Sequence, residues 1–531
     1  MKKNALLMAF MAIVLPLTAI AQSTNPSTKW HWDKGTIVID TPERPAGQES
    51  ALGLTAPKVP IVRVGFVGLG SRGPWAVNRY CHIPGVQIVA LCDYELGRAE
   101  NAQKYLRDAG LPPADIYSGP LGYEELCQRE DIDLVYCATD WEHHFPVAKC
   151  ALENSKHVAI EVPAALNLEQ IWTLIDLCEQ KRCHCMMLEN CCYDYFEMNA
   201  LNMAQQGVFG EIIRAEGSYL HTLSPGWAGY WHNPDGSDPD NLHWRLKYNS
   251  ENRGDIYPTH GLGPVAQCMN IHRGDRFTTL VAMDTKSTIG EQDASRASGR
   301  EFKEFRNGDH TTTLMRTAQG KVIEIQHNVM TPQPYNRMFK LTGTKGYATK
   351  YPDPKLYVTR EQMKQVGNDE MAGKISGHDF MPQEEYDALM KKYYHPILAK
   401  FGEMGREMGH GGMDYTMDAR LVYCLQNGLP LDMDVYDLAE WCALAELGAL
   451  SMDNGCAAVT FPDFTRGHWN DQQGFRHAYA AADDEAATEA IARQATEDMK
   501  ALTIKKKLWE KYDKAQAKAK AKAEAAAKKS K

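Results

Sequence analysis

The stretch VRVGFVGLGSRG, Val62 to Gly73, constrains the fold most. An apolar run ends at Gly68, and Gly68, Gly70 and Gly73 form the pattern GxGxxG. That pattern alone is weak, but here a strand precedes it and a helix is expected from about Arg72. The first glycine permits a tight turn and the second lets backbone approach a pyrophosphate. The third allows close helix–strand packing. The helix N-terminus then faces the pyrophosphate. Asp93 follows Gly73 by twenty residues and closes the next apolar run, VQIVALCD. A carboxylate there accepts from ribose hydroxyls and repels a 2′-phosphate, and no arginine follows it directly, so NAD is favoured over NADP. The bland alternative is a structural glycine turn with a surface aspartate.

Around this turn, strand-like and helix-like segments alternate. DLVYCATD, HVAIEVP and HCMMLEN read as strands, and PLGYEELCQRE, PVAKCALENS and NLEQIWTLIDLCEQKR as helices. This argues an α/β Rossmann domain over residues 61–195. From about residue 205 the pattern changes to period-two alternation in EIIRAEGSYLHT, FTTLVAMDT, TTTLMRT, KVIEIQHNV and RMFKLTGTKGYATKY. One helix is expected at THGLGPVAQCMNIH. The result is an α+β domain, residues 196–465, with an open-faced, mostly antiparallel sheet and a helical insert at 355–415. DYTMDARLVYCLQNG and DVYDLAEWCALAELGALSMDNG are the strongest helices after the insert.

Residues 1–21 read as a Sec-type signal: Lys2 and Lys3, a short apolar run broken by Pro16, and small residues before Gln22. A membrane span in the mature chain is not expected. Residues 22–60 read as an extended lead-in, and residues 466–531 as a charged, Ala/Lys-rich helical tail. A formal net charge of -10 disfavours a nucleic-acid partner. The 14 cysteines lack metal spacing and fall mostly in apolar runs, so no metal site is expected and few if any disulfides.

GFVGLGSRG, CATDWEHH, HVAIEVPAALNLEQ and MMLENCCYDYFEMN, in that order, resemble the glucose–fructose oxidoreductase/inositol dehydrogenase superfamily. The resemblance covers roughly residues 60–350. Dehydrogenases of that superfamily carry Glu-Lys-Pro after the fifth strand, where the lysine moves a proton. This chain has Glu161-Val162-Pro163. EVP, LENCCY and YPTHGLGP together resemble glycoside hydrolase family 109, whose members are exported, NAD-dependent glycosidases, with α-N-acetylgalactosaminidase the best-known activity.

That resemblance implies roles residue by residue. Gly68, Gly70, Ser71, Arg72, Gly73 and Asp93 would hold the phosphates and adenosine ribose. Trp141, Glu142, His143, His144, Glu161, Val162 and Asn190 would line the nicotinamide side. Tyr219, Arg245, Tyr257, Pro258, Thr259, His260 and Tyr335 would contact the sugar. His260, Tyr257 and Tyr193 are the catalytic candidates, with Tyr257 and His260 three residues apart on one side of a helical turn. Structural alternatives stand beside these roles: Tyr219 as core, His143 and His144 as helix caps, and Arg245 with Trp244 as a surface stack.

The chemistry implied is temporary oxidation at C3 of a sugar, loss of the C2 proton with expulsion of the C1 substituent, water addition, and return of the hydride. One retained NAD serves every turnover, which suits an exported protein. An exported sugar oxidoreductase and a non-catalytic sugar-binding protein are the competing readings. The open-faced sheet leaves an edge and a face to bury, which points towards a homo-oligomer.

Overall fold

The computed structural model describes residues 29–223, 240, 242–406, 408–475, 493, 496–497 and 507–529. The expected signal segment lies outside them. Within the lead-in, β1 (Trp30–Asp33) and β2 (Thr36–Ile39) form a hairpin. Its turn, Lys34-Gly35, has φ of 45° and 81°, the left-handed pair that a two-residue hairpin requires. The lead-in is thus partly ordered strand.

Six strands follow: β3 (Val62–Val67), β4 (Val86–Asp93), β5 (Asp115–Ser118), β6 (Leu134–Cys137), β7 (His157–Ile160) and β8 (Cys185–Met187). They pair in parallel in the order β5-β4-β3-β6-β7-β8, the Rossmann arrangement. β5 escaped sequence reading because DIYS carries too few apolar residues to stand out. Strand order reverses between β3 and β6, so a crevice opens at the carboxyl ends of those strands, where open α/β sheets bind ligands. The glycine turn leaves β3, Thr139 and Asp140 follow β6, Glu161 follows β7, and Glu189 and Asn190 follow β8.

The second sheet contains β9 (Ile212–Leu220), β10 (Phe277–Asp284), β11 (Thr311–Thr317) and β12 (Val322–Asn328), then β13 (Lys340–Gly343), β14 (Gly346–Thr349), β15 (Lys355–Val358) and β16 (Ala458–Thr460). With the hairpin it forms ten strands in the order β1-β2-β16-β10-β11-β12-β9-β13-β14-β15. Pairing is antiparallel except at β9–β12 and β2–β16. β15 opens the segment read as a helical insert, which otherwise contains helices Arg360–Val366 and Gln383–Lys392.

Helices Thr259–Cys268 and Val435–Asp453 pack on one face of this sheet. Val435–Asp453 is apolar nearly all round and buried, and starts with a capping box of Asp434 and Asp437. It also packs on helix Leu168–Lys181 of the first domain, joining the two cores. The tail helix Lys507–Lys529 docks on the Rossmann domain rather than standing free, with the Arg107 guanidinium over Trp509 and an ion pair to Asp513. All 14 cysteines are free. No helix among the described residues is long and apolar enough to cross a membrane.

Candidate functional site

Glycine is required at two points of the first turn. Gly68 has φ +89°, and a Cβ there would lie 2.6 Å from backbone of Ala138 and Thr139. A Cβ on Gly73 would lie 2.0 Å from the Gly68 carbonyl oxygen. Gly70 differs: its Cβ would meet only the Arg98 guanidinium at 3.7 Å. Gly70 and Ser71 are exposed, so backbone there is open to an incoming phosphate, and the turn fits a dinucleotide. Asp93 is buried and locks the turn by accepting from Leu69 N–H at 2.6 Å and Glu95 N–H at 2.9 Å.

Arg72 lies between two carboxylates, 3.4 Å from Glu161 and 3.4 Å from Asp414. Glu161, followed by buried Val162, also accepts from the Tyr136 hydroxyl. Asn190 donates to Asp414 at 2.6 Å, and Arg79 bonds Asp418 at 2.7 Å. Asp414 and Asp418 come from helix Met413–Asn427. Burial alone would raise the Asp414 carboxyl, but His410, Arg72 and Arg79 outweigh it and hold the group well below the usual carboxylate range. Burial pushes Asp418 up to about 7 despite Arg79.

Trp141 begins helix Trp141–Glu153 and is buried. Its ring stacks on Tyr257 at 5.5 Å, and the Arg245 guanidinium lies 4.9 Å from Trp141 and 5.2 Å from Tyr257. His144 is buried, with Nδ1 2.7 Å from the Pro163 carbonyl. Glu142 and His143 are exposed on the same first turn, and His143 Nδ1 donates to the capping Asp140 at 2.8 Å.

Helix Thr259–Cys268 delivers His260. A Cβ on Gly261 would lie 2.4 Å from Ser218 N, and one on Gly217 would lie 2.1 Å from the Gly261 carbonyl oxygen. The two glycines therefore let helix and β9 touch backbone to backbone, which sets His260 beside Tyr219 with ring centres 5.3 Å apart. Tyr219 also meets Tyr257 at 4.8 Å and Tyr335 at 6.2 Å. Pro258 and Thr259 form the start of the helix, with Thr259 fully buried.

His260 Nδ1 donates to Glu189, 2.7 and 2.9 Å from its two oxygens, and Tyr257 faces the other nitrogen, its hydroxyl 3.4 Å from Nε2. Glu189 is fully buried, yet the imidazole and the Cys191 N–H overcome the upward pull of burial and keep its pKa below the usual value. Burial raises Tyr257 well above an ordinary tyrosine, so its hydroxyl stays protonated at neutral pH. The carboxylate fixes the imidazole tautomer and leaves Nε2 as the proton acceptor. Tyr193 is not in this chain of contacts: its hydroxyl donates to Asp432, which also binds Arg420.

Sequence comparisons bear on this geometry. Residues 62–189 match the family description "Oxidoreductase family, NAD-binding Rossmann fold", and residues 193–471 match "Glycosyl hydrolase 109, C-terminal domain". Glycosyl hydrolase family 109 protein 3 of Phocaeicola vulgatus is 68% identical over 513 residues, covering 97% of this chain and 93% of that one. The chain belongs to glycoside hydrolase family 109. A Bacteroides thetaiotaomicron member, protein 1, is 53% identical over 474 residues, covering 88% of this chain and 97% of its own. Among solved structures, levoglucosan dehydrogenase in complex with NADH and L-sorbose superposes with TM-score 0.55 at 17% identity. It covers 76% of this chain and all of its own, and shares the fold. The family 109 chain is thus built on an NAD-binding Rossmann domain.

Several residues of this candidate site were not singled out from sequence. Glu189 sits in the LENCC motif beside Asn190, but a buried glutamate in an apolar run gives no hint of its partner. His221 lies two residues after Tyr219, its ring 4.7 Å from that tyrosine and 5.2 Å from Tyr335. Burial and the Arg245 charge lower it to about 4, so it is neutral. Alternation would put it on the face of Tyr219, but it lies just past the end of β9 and in no motif. His410 and Asp414 fell at the end of the segment matched by no motif.

Proposed function

We propose that this family 109 member removes terminal N-acetylgalactosamine, α-linked, from glycans without net redox change, and that it acts after Sec-type export. The observation that carries the reading is the Glu189–His260–Tyr257 chain, set against Trp141 and beside the Arg72–Glu161 pair. It supplies proton transfer where valine replaces the superfamily lysine. The twenty-one N-terminal residues support export, and exposed Val281, Met283 and Leu314 on the open sheet face support pairing of two copies through that face.

NAD⁺, when bound, supplies a hydride acceptor and later a donor for C3 of the sugar. Gly68 to Gly73 and Asp93 would hold it, with Trp141, Glu161 and Asn190 on the nicotinamide side. His260 Nε2 takes the proton of the C3 hydroxyl, and Glu189 stabilises the imidazolium that forms. Tyr257 stays protonated and is suited to donate to the departing C1 oxygen or to return a proton at C2. Tyr219, Arg245 and Tyr335 flank these groups and would orient the sugar ring.

The test is p-nitrophenyl α-N-acetylgalactosaminide in D₂O with the purified full chain. Nitrophenol release with deuterium at C2 of the released sugar is expected. Sugar oxidation without cleavage would replace this reading with that of an oxidoreductase, and cleavage without deuterium would remove the elimination route.

A further inference from the structure

The segment Gly409–Gly412 has left-handed backbone at every position, with φ of 95°, 46°, 67° and 96°. Three of the four are glycines, which adopt it freely. His410 is not, and a non-glycine residue held there marks a position that its surroundings over-determine. Those surroundings are the cofactor-turn residues. His410 Nδ1 donates to Asp414 at 2.8 Å, and Arg72 approaches the same carboxylate oxygen at 3.4 Å. The other Asp414 oxygen accepts from Asn190. One carboxylate thus gathers a residue of the glycine turn, a residue following β8, and the strained histidine.

The His410 side chain is 53% exposed, unlike Asp414 at 2%. Its Nε2 has no hydrogen bond among the described residues. An exposed imidazole beside the glycine turn, its Nδ1–H held by Asp414 and its Nε2 open, can accept from a ribose hydroxyl of a ligand on that turn.

We propose that Gly409–Gly412 is a strap that retains the dinucleotide. His410 is a further cofactor-binding residue, and Asp414 is the positioning residue that aligns it with Arg72 and Asn190. The inference deepens the reading that one NAD serves successive turnovers, since such a site needs slow release more than fast exchange.

The experiment measures NAD itself. Full-length wild type, His410→Ala and His410→Gln are loaded with NAD⁺ and diluted, and released NAD⁺ is trapped by an external dehydrogenase and read by absorbance. Loss of one ribose-hydroxyl contact is expected to speed release by about tenfold in His410→Ala. His410→Gln, which keeps an acceptor oxygen, is expected to lie between. The melting temperature of NAD-stripped protein is read alongside and is expected to fall by only a few degrees, because buried Asp414 keeps Arg72, Arg79 and Asn190 as partners. Release within twofold of wild type in both variants overturns the proposal. So does a lowered melting temperature in stripped protein with unaltered release, which assigns His410 to folding alone. If His410→Ala does not fold, His410→Gln against wild type decides. Because no glycoside is used, the result stands apart from the proposed substrate and mechanism.

Discussion

Replacing Glu189 by glutamine isolates the charge behind His260. The glutamate side chain is fully buried, and both its oxygens lie within 2.9 Å of one imidazole nitrogen, so they make one shared, charge-assisted bond. Glutamine keeps the shape and one acceptor oxygen. It loses the negative charge and turns an amide N–H₂ towards either the Nδ1–H or the Cys191 N–H. The imidazolium formed during proton transfer then loses its counter-charge. Losing a charge-assisted bond, with the Coulomb term at about 4 Å and an effective dielectric near 20, costs about 2–4 kcal/mol. That is a fall in kcat of about 30- to 1000-fold. KM and the NAD content are expected to hold, because Glu189 is bonded to His260 and Cys191 rather than to the glycine turn. The assay is steady-state cleavage of a nitrophenyl glycoside that the wild type turns over, with NAD counted after denaturation. A Glu189→Gln enzyme whose kcat stays within about threefold of wild type would refute the role given to this pair.

Gly70→Ala is expected to leave the NAD-free protein's melting temperature intact while weakening NAD binding, because its Cβ meets only Arg98 at 3.7 Å. Gly73→Ala is expected to lower both, its Cβ lying 2.0 Å from a backbone oxygen; equal behaviour of the two in calorimetry and NAD titration would contradict this. Gly261→Ala forces helix and β9 apart against backbone of Ser218, and urea denaturation is expected to show a loss of about 2–3 kcal/mol together with lost activity. Asp255 is buried and burial pushes its carboxyl up to about 7, against the Tyr257 N–H. Its folded pKa is raised, so its cost to stability is absent below about pH 4 and grows as pH rises to 7. Asp255→Asn is therefore expected to stabilise by about 4 kcal/mol at pH 8 and by nothing at pH 4, and a pH-independent difference in unfolding would rule this out.

The Rossmann domain was legible because its signals are local. Strand, glycine turn and Asp93 fall within 32 residues, Val62 to Asp93; Gly73 answers to Gly68 inside the turn, Gly68 to the end of β6, and Gly70 leaves the space that a phosphate needs. The second sheet was readable as alternation, but not its order: the parallel pairing of β9 with β12 joins Tyr219 to His327 across the chain. β5 was missed for lack of apolar residues, and the hairpin Trp30–Ile39 because its two four-residue strands are short and lie in a lead-in rich in Pro, Ser, Thr and Gly.

The same divide runs through the site. His260 and Tyr257 in YPTHGLGP and the glycine turn in GFVGLGSRG stand out in the sequence because each lies in a motif of contiguous residues. Tertiary structure decided what acts on them. Glu189 meets His260 across 71 residues, and Asp414 meets Asn190 across 224. It also gave the Tyr193 hydroxyl to Asp432, across 239 residues. A turn is encoded by the φ angles and volumes of neighbours. A buried charge is encoded by the partner that offsets its desolvation, and only the folded chain brings that partner within 3 Å.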